Sequence, residues 1–173
     1  MPAPLASADG GPPAPGPLRL VQSLANTQSL GTREDAAAWL SSADLLPDGS
    51  ALSNSEHAAL LRLRESLRDL LAARTSGRQD DDAAARLTRA LADGRVVVTV
   101  DPPGGIRLAS AARASYSSLV AAVAVAIAES AAAGTWPMLK SCSAAGCGVA
   151  FYDGSDPAAA TRCSAHAGPE DGA

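Results

Sequence analysis

The sequence predicts an α+β protein that is mostly α, a helical domain with one β-hairpin followed by a small zinc-finger-like appendage. Three observations lead there. Leucine and valine recur at intervals of three and four over much of the chain between Leu18 and Gly134, as in helices with one apolar face. One β-branched run, Val96 to Val100, meets a Pro/Gly turn. All three cysteines and one of the two histidines follow Leu139, set as Cys142-x4-Cys147 and Cys163-x2-His166. Hydrophobic residues make up 47% of the chain, but alanine inflates that figure and aromatics are only 3%, so helices packed through small side chains are expected.

Residues 1–17 form a block of their own, with Pro2, Pro4, Pro12, Pro13, Pro15 and Pro17 among Ala and Gly and a single charge at Asp9. Such a stretch buries too little apolar surface to offset its ordering entropy, and it reads as a disordered tail. From Leu18 the pattern Leu18, Leu20, Val21, Leu24, Ala25 suits one helical face. A second short helix begins near Thr32 or Asp35 and turns Ala36, Trp39 and Leu40 inward before the turn Leu46-Pro47-Asp48-Gly49. Ser53-x-x-Glu56 is a capping box, and Leu60, Leu63, Leu67, Leu70 and Leu71 follow it at helical spacing until Ser76-Gly77.

The run Asp80-Asp81-Asp82 reads as acidic residues complementing a helix N-terminus, in preference to a metal cluster. Leu87, Leu91 and a terminating Gly94 complete that helix. Val96 to Val100, the turn Asp101-Pro102-Pro103-Gly104-Gly105 and then Ile106, Arg107 and Leu108 give strand, turn, strand. Residues 110–133 are the most apolar segment and read as a central buried helix with Tyr116, Val120, Val123 and Ile127 on one face. Its uncharged stretch Leu119 to Ala128 falls well short of the ~20 residues needed to span a bilayer, so no membrane role is expected. Gly134 stops the helix. The division is therefore tail 1–17, helical domain 18–135 and finger 136–173.

Two short ligand pairs on separate turns can close a tetrahedron around Zn²⁺, which favours four thiolate or imidazole ligands. Cys142, Cys147, Cys163 and His166 are the candidates, with zinc as the cofactor. Inert buried thiols and a disulfide are the competing readings, and His166 competes with a solvated tail histidine. An odd cysteine count excludes a complete disulfide framework. The N-terminus shows no basic start followed by an apolar run, and a cytoplasmic protein is expected.

The segment from Leu139 through Cys142, Cys147, Phe151-Tyr152-Asp153 and Ser155, followed by Arg162-Cys163-Ser164, resembles the CGNR zinc-finger family. The helical region upstream is similar to the ABATE domain that precedes this finger, through Leu24-Ala25-Asn26-Thr27, Trp39-Leu40, and Leu63-Arg64 with Leu67-Arg68. The resemblance spans about residues 18–168. It implies a stress-induced transcription regulator, with the finger contacting DNA and the helical domain sensing or interacting. It also carries Cys142, Cys147 and Cys163 over as metal ligands. The family's fourth cysteine would fall at Gly168, where Pro169-Glu170-Asp171 replaces the rest of the CGNR signature. His166 is the substitute ligand expected here. Asp156 to Thr161 stands where the family carries a basic stretch, leaving only Arg162.

Charge weighs against DNA as the partner. The chain has a formal net charge of -4. From Leu139 onward Lys140 and Arg162 face Asp153, Asp156, Glu170 and Asp171, a net of -2, while phosphate contacts supply most non-specific affinity. Any help would come from Arg62, Arg64, Arg68, Arg74 and Arg78, which as a helix row read as solvated. Phe151 and Tyr152 read as packing over the metal hairpin in preference to stacking on bases. The alternative to a weak or partner-assisted DNA regulator is a protein-interaction or small-ligand-sensing domain whose finger is only structural, with Asn26, Thr27 and Arg64 facing a pocket. No Gly-x-Ser-x-Gly, phosphate-cradling glycine loop or His–carboxylate spacing is present, so no enzyme is expected.

Overall fold

Leucines one helical turn apart decide where this chain buries itself. Leu60, Leu63, Leu67 and Leu71 line a single face of the longest helix, and each is fully buried. The computed structural model describes residues 11–111, 115–155 and 157–167. In order, the helices are α1 Leu18–Asn26, α2 Arg33–Ser42, α3 Asn54–Thr75, α4 Asp81–Leu91 and α5 Tyr116–Ala132. An antiparallel hairpin, β1 Val96–Val100 with β2 Ile106–Ser110, separates α4 from α5. A 3₁₀ turn, Trp136–Met138, leads into a second antiparallel hairpin, β3 Leu139–Ser141 with β4 Ala150–Tyr152.

The caps read from the sequence form. Ser53 accepts from the Glu56 N–H while the Glu56 carboxylate accepts from the Ser53 N–H, the reciprocal box that starts α3. Asp80 caps α4 by accepting from the Ala83 N–H at 2.8 Å, and Asp81 and Asp82 fill the first turn. Thr32 caps α2 through the Asp35 N–H. Leu18, Val21 and Leu24 of α1 and Leu119, Val120 and Val123 of α5 complete the core around α3. Of the apolar positions expected inward, Trp39, Leu70 and Ile127 are only half-buried and pack at the margin of that core. The central helix begins at Tyr116 instead of residue 110, because Ser110 ends β2 and the extended Ser115, whose N–H donates to Ser118 Oγ, caps the helix.

One expectation changes. Residues 11–17, read as part of a disordered tail, pack on the body: Ala14 is fully buried and its N–H donates to Gln22 Oε1 at 2.7 Å. A proline-rich stretch has little backbone entropy left to lose, so one buried alanine and one side-chain acceptor suffice to seat it. Residues 1–10 lie outside the described part. The first hairpin sits beyond the core, with Val98 61% and Ile106 72% exposed. Among the described residues no helix is long and apolar enough to cross a membrane.

Candidate metal centre

The finger hairpin is too short to hold itself, since an isolated two-stranded hairpin is marginal even when longer. The helical domain holds it through its backbone. Asn26, the last residue of α1, donates from Nδ2 to the Ala150 carbonyl at 2.8 Å and accepts the Ala150 N–H at 2.7 Å. Gln22, one helical turn earlier, adds a weaker bond to the same carbonyl at 3.3 Å. From α3, Thr75 Oγ1 accepts the Ser141 N–H at 2.9 Å, and Arg74 donates to the Trp136 and Leu139 carbonyls while stacking 4.3 Å from the Trp136 ring centroid. These bonds fix both strands of the hairpin against α1 and α3.

On that base, Cys142 follows β3 and its N–H donates to the Val149 carbonyl at 2.8 Å. The chain then reverses through Ala144 to Cys147, with Gly146 and Gly148 in the left-handed region at φ 77° and 63°. The third and fourth groups come from a tight turn in which the His166 N–H donates to the Cys163 carbonyl at 2.8 Å. The loop from Asp153 to Cys163 is held by a buried ion pair. Lys140 Nζ lies 2.8 Å from Asp153 Oδ2 and also donates to the Ala158 and Ala160 carbonyls. Asp153 further accepts from the Ser155 hydroxyl and N–H and from the Ala160 N–H.

The outcome is one cluster. The ligand atoms of Cys142, Cys147, Cys163 and His166 all lie within 4.8 Å of one another. His166 Nδ1 is 3.3 Å from Cys163 Sγ and 3.7 Å from Cys142 Sγ, and Cys147 Sγ is 3.9 Å from Cys163 Sγ. Cys142 and Cys163 are buried with Phe151, Cys147 is half-buried and His166 is exposed. The three cysteines are free thiols. Burial works against the Cys142 thiolate, but backbone N–H groups of Cys163 and Ala144, with neighbouring thiols, outweigh it and lower its pKa. Burial, with its thiols shared towards Cys142 and Cys147, pushes Cys163 up to about 11. One sulfur is thus prepared to ionise beside another that donates to it, an unequal set that a cation would level. Such a group could hold a metal ion.

The residues assigned to a ligand pocket have other work. Asn26 pairs both ends of its amide with the Ala150 backbone. Thr27 offers its carbonyl to Arg64 Nη1 at 3.1 Å, and Arg64 Nε pairs with Glu65 at 2.8 Å. Arg68 takes the Ala25 carbonyl at 2.6 Å. Arg64 and Arg68 therefore satisfy the carbonyls left over at the C-terminus of α1, where cations also suit the helix dipole. With Arg74 bound at the finger, three members of the presumed solvated arginine row are engaged. Helical spacing shows which residues share a face but not which carbonyls another helix will present there. The ion pair of Lys140 with Asp153 was equally hidden, because the two are thirteen positions apart and meet only once the hairpin forms.

Phe151 lies beneath the thiols, and Tyr152 packs on the helical body with its hydroxyl 3.1 Å from Met138 Sδ. Compared with known proteins, residues 6–134 match the family ABATE, described as "Putative stress-induced transcription regulator". No curated protein matches the chain. That match covers most of the chain and ends at Gly134, just before the 3₁₀ turn into the finger. The chain belongs to the ABATE family, and behind that domain it carries a Cys₃His cluster consistent with a CGNR-type zinc finger.

Proposed function

We propose that the protein is a transcription regulator of the ABATE type whose finger binds zinc as a structural clamp, and whose DNA contact is weak or made with a partner. The observation that carries this reading is the fate of the finger's cations. Lys140 is buried against Asp153, so Arg162 is the one exposed cation among the described residues after Leu139. Arg64, Arg68 and Arg74 are tied to backbone carbonyls. Each phosphate contact needs a free Lys or Arg to displace a condensed counterion, and few are left.

Zinc fits the donor set and its spacing. Zn–S bonds of about 2.3 Å and Zn–N bonds of about 2.0 Å make tetrahedral edges of about 3.8 Å between sulfurs and about 3.5 Å between sulfur and nitrogen. Three of the six separations, 3.9, 3.3 and 3.7 Å, lie close to those edges, and all six are within 4.8 Å. Four protein ligands would fill every position, the arrangement of a structural site and not of one that keeps a water for catalysis. A non-catalytic role follows.

Elemental analysis of the purified chain, alongside His166→Ala, tests the metal. One zinc per chain, weakened or lost in the variant, is expected; zinc content unchanged by the substitution would remove His166 from the site. Titration of duplex DNA at low salt tests the rest. The isolated chain should give no tight complex. Tight binding that weakens steeply with salt would overturn the clamp reading, because phosphates would then be meeting free cations.

A further inference from the structure

A second place in the molecule has the marks of a built site, and none of its residues belongs to the finger. Helices α3 and α4 and the first residue of α5 enclose an open cleft of about 470 Å³. Its α3 wall is the stripe Ala59, Arg62, Ser66, Asp69, spaced by three and four so that all face one way, with Glu65 beside it. Arg86, Arg89 and Ala90 form the α4 wall by the same rule, Asp93 follows just beyond the helix end, and Tyr116 closes it.

Two details set it apart from an ordinary groove between helices. Ser66 is 6% exposed and Tyr116 is 6% exposed, yet neither hydroxyl has a hydrogen-bond partner among the described residues. No side-chain polar atom among those residues is both sealed from solvent and unpartnered, so these two hydroxyls open onto the cleft they line. A hydroxyl so placed meets water in the empty cleft and can exchange it for a polar atom of a ligand. Burial, with the Asp93 charge adding to it, pushes Tyr116 up to about 12, so its proton stays available for donation.

The second detail is charge. Asp69 is paired with Arg86 at 2.9 Å, and Glu65 with Arg64 and Arg68 at 2.8 and 3.4 Å. Arg62 and Arg89 have no ion-pair partner among the described residues, and Asp93 is the remaining carboxylate without one. The lining is formally neutral, with Arg62, Arg86 and Arg89 against Glu65, Asp69 and Asp93, but the guanidinium groups of Arg62 and Arg89 are uncommitted and free to meet an entering anion. A guanidinium presents parallel N–H groups that match the oxygens of a carboxylate or phosphate.

We propose that this cleft binds a small molecule bearing an oxyanion, carboxylate or phosphate, held by Arg62 and Arg89 and by the hydroxyls of Ser66 and Tyr116. Asp93 accepts a hydrogen bond from a donor on the same ligand. Ala59 and Ala90 leave room for no more than a modest apolar portion. The inference is independent of the zinc clamp, because no finger residue lines the cleft.

The test uses the full chain with its metal, titrated separately with inorganic phosphate and with acetate, against chloride at equal ionic strength. Backbone amide and arginine side-chain NMR shifts are followed. Saturable shifts confined to Arg62, Ser66, Arg89, Asp93 and Tyr116 are expected with at least one probe, and weakened ~10-fold or more in the double variant Arg62→Gln, Arg89→Gln. Both arginines are exposed, so the variant should keep its fold, which its unperturbed spectrum elsewhere would verify. Saturation by phosphate alone assigns a phosphoryl group, and saturation by acetate as well assigns a carboxylate. Shifts that track ionic strength without saturating, or equal binding by the double variant, would overturn the proposal.

Discussion

At the scale of single residues, the finger depends on one carboxylate. Asp153 is 5% exposed and accepts from Lys140, from the Ser155 hydroxyl and N–H, and from the Ala160 N–H. Burial opposes its charge, but the bonds from Lys140 and Ser155 outweigh burial and lower its pKa below the usual aspartate value. A carboxyl whose folded pKa is depressed adds stability that is complete above the ordinary carboxylate range. That stability is lost as pH falls through the lowered folded value. Asp153→Asn removes this contribution and strands the Lys140 charge in a site only 12% exposed at its side chain, at a cost on the order of 3 kcal/mol near neutral pH. Urea unfolding of both proteins across the acidic range should show the gap narrowing as pH drops below the aspartate range. A gap constant with pH would mean the carboxylate charge is not what holds the loop. Nothing in the sequence marks this residue beyond its place after Phe151-Tyr152, since its four donors are gathered by folding.

At the scale of elements, the local code was readable wherever the physics is local. The Ser53 box, the Asp80 cap and the leucine stripe of α3 each depend on residues three or four positions apart, and each formed as the sequence implies. The β-branched run formed its strand too, but propensity carries no information about burial, and the hairpin stands outside the core. Gly94 shows the converse error. Read as a helix terminator, it is in fact a close approach, where an added Cβ would lie 2.7 Å from the Ala121 nitrogen and 2.9 Å from the Val120 carbonyl carbon. Backbone atoms cannot step aside as a side chain can, so Gly94→Ala must push the end of α4 off α5. We expect it to cost about 1–3 kcal/mol. Val98→Thr, at a position 61% exposed, should stay within about 0.5 kcal/mol. Parallel denaturant melts check both, and equal losses would show that the hairpin is packed more tightly than its exposure indicates.

At the scale of the whole molecule, the grouping of Cys142, Cys147, Cys163 and His166 was legible because metal chemistry restricts spacing, whereas the backbone clamp of Asn26 on Ala150 was not, because it joins α1 to β4 across more than a hundred residues. Asn26 and Ala150 are a residue pair no periodicity relates. The clamp also determines how metal loss should act. The finger's own buried cluster is small, Cys142, Cys163 and Phe151 with few neighbours, too little apolar surface to stay folded without a staple. The main core is centred on α1, α3 and α5 and takes in only Leu139 and Ala150 from the finger hairpin. On the proposed reading, stripping a bound zinc ion with a strong chelator should therefore lower the melting temperature while leaving most of the far-ultraviolet helical signal at room temperature. The loss approaches about 4 kcal/mol when free zinc in the reference state is 1,000 times the dissociation constant. Trp136 sits at the joint beneath Arg74, 4.3 Å from its guanidinium, so its near-ultraviolet signal should change on chelation and return when zinc is restored. Collapse of the helical signal together with the tryptophan signal would mean that finger and helical domain fold as one unit. A melting temperature indifferent to chelation would mean that Asn26, Thr75 and Arg74 hold the finger without help from the metal.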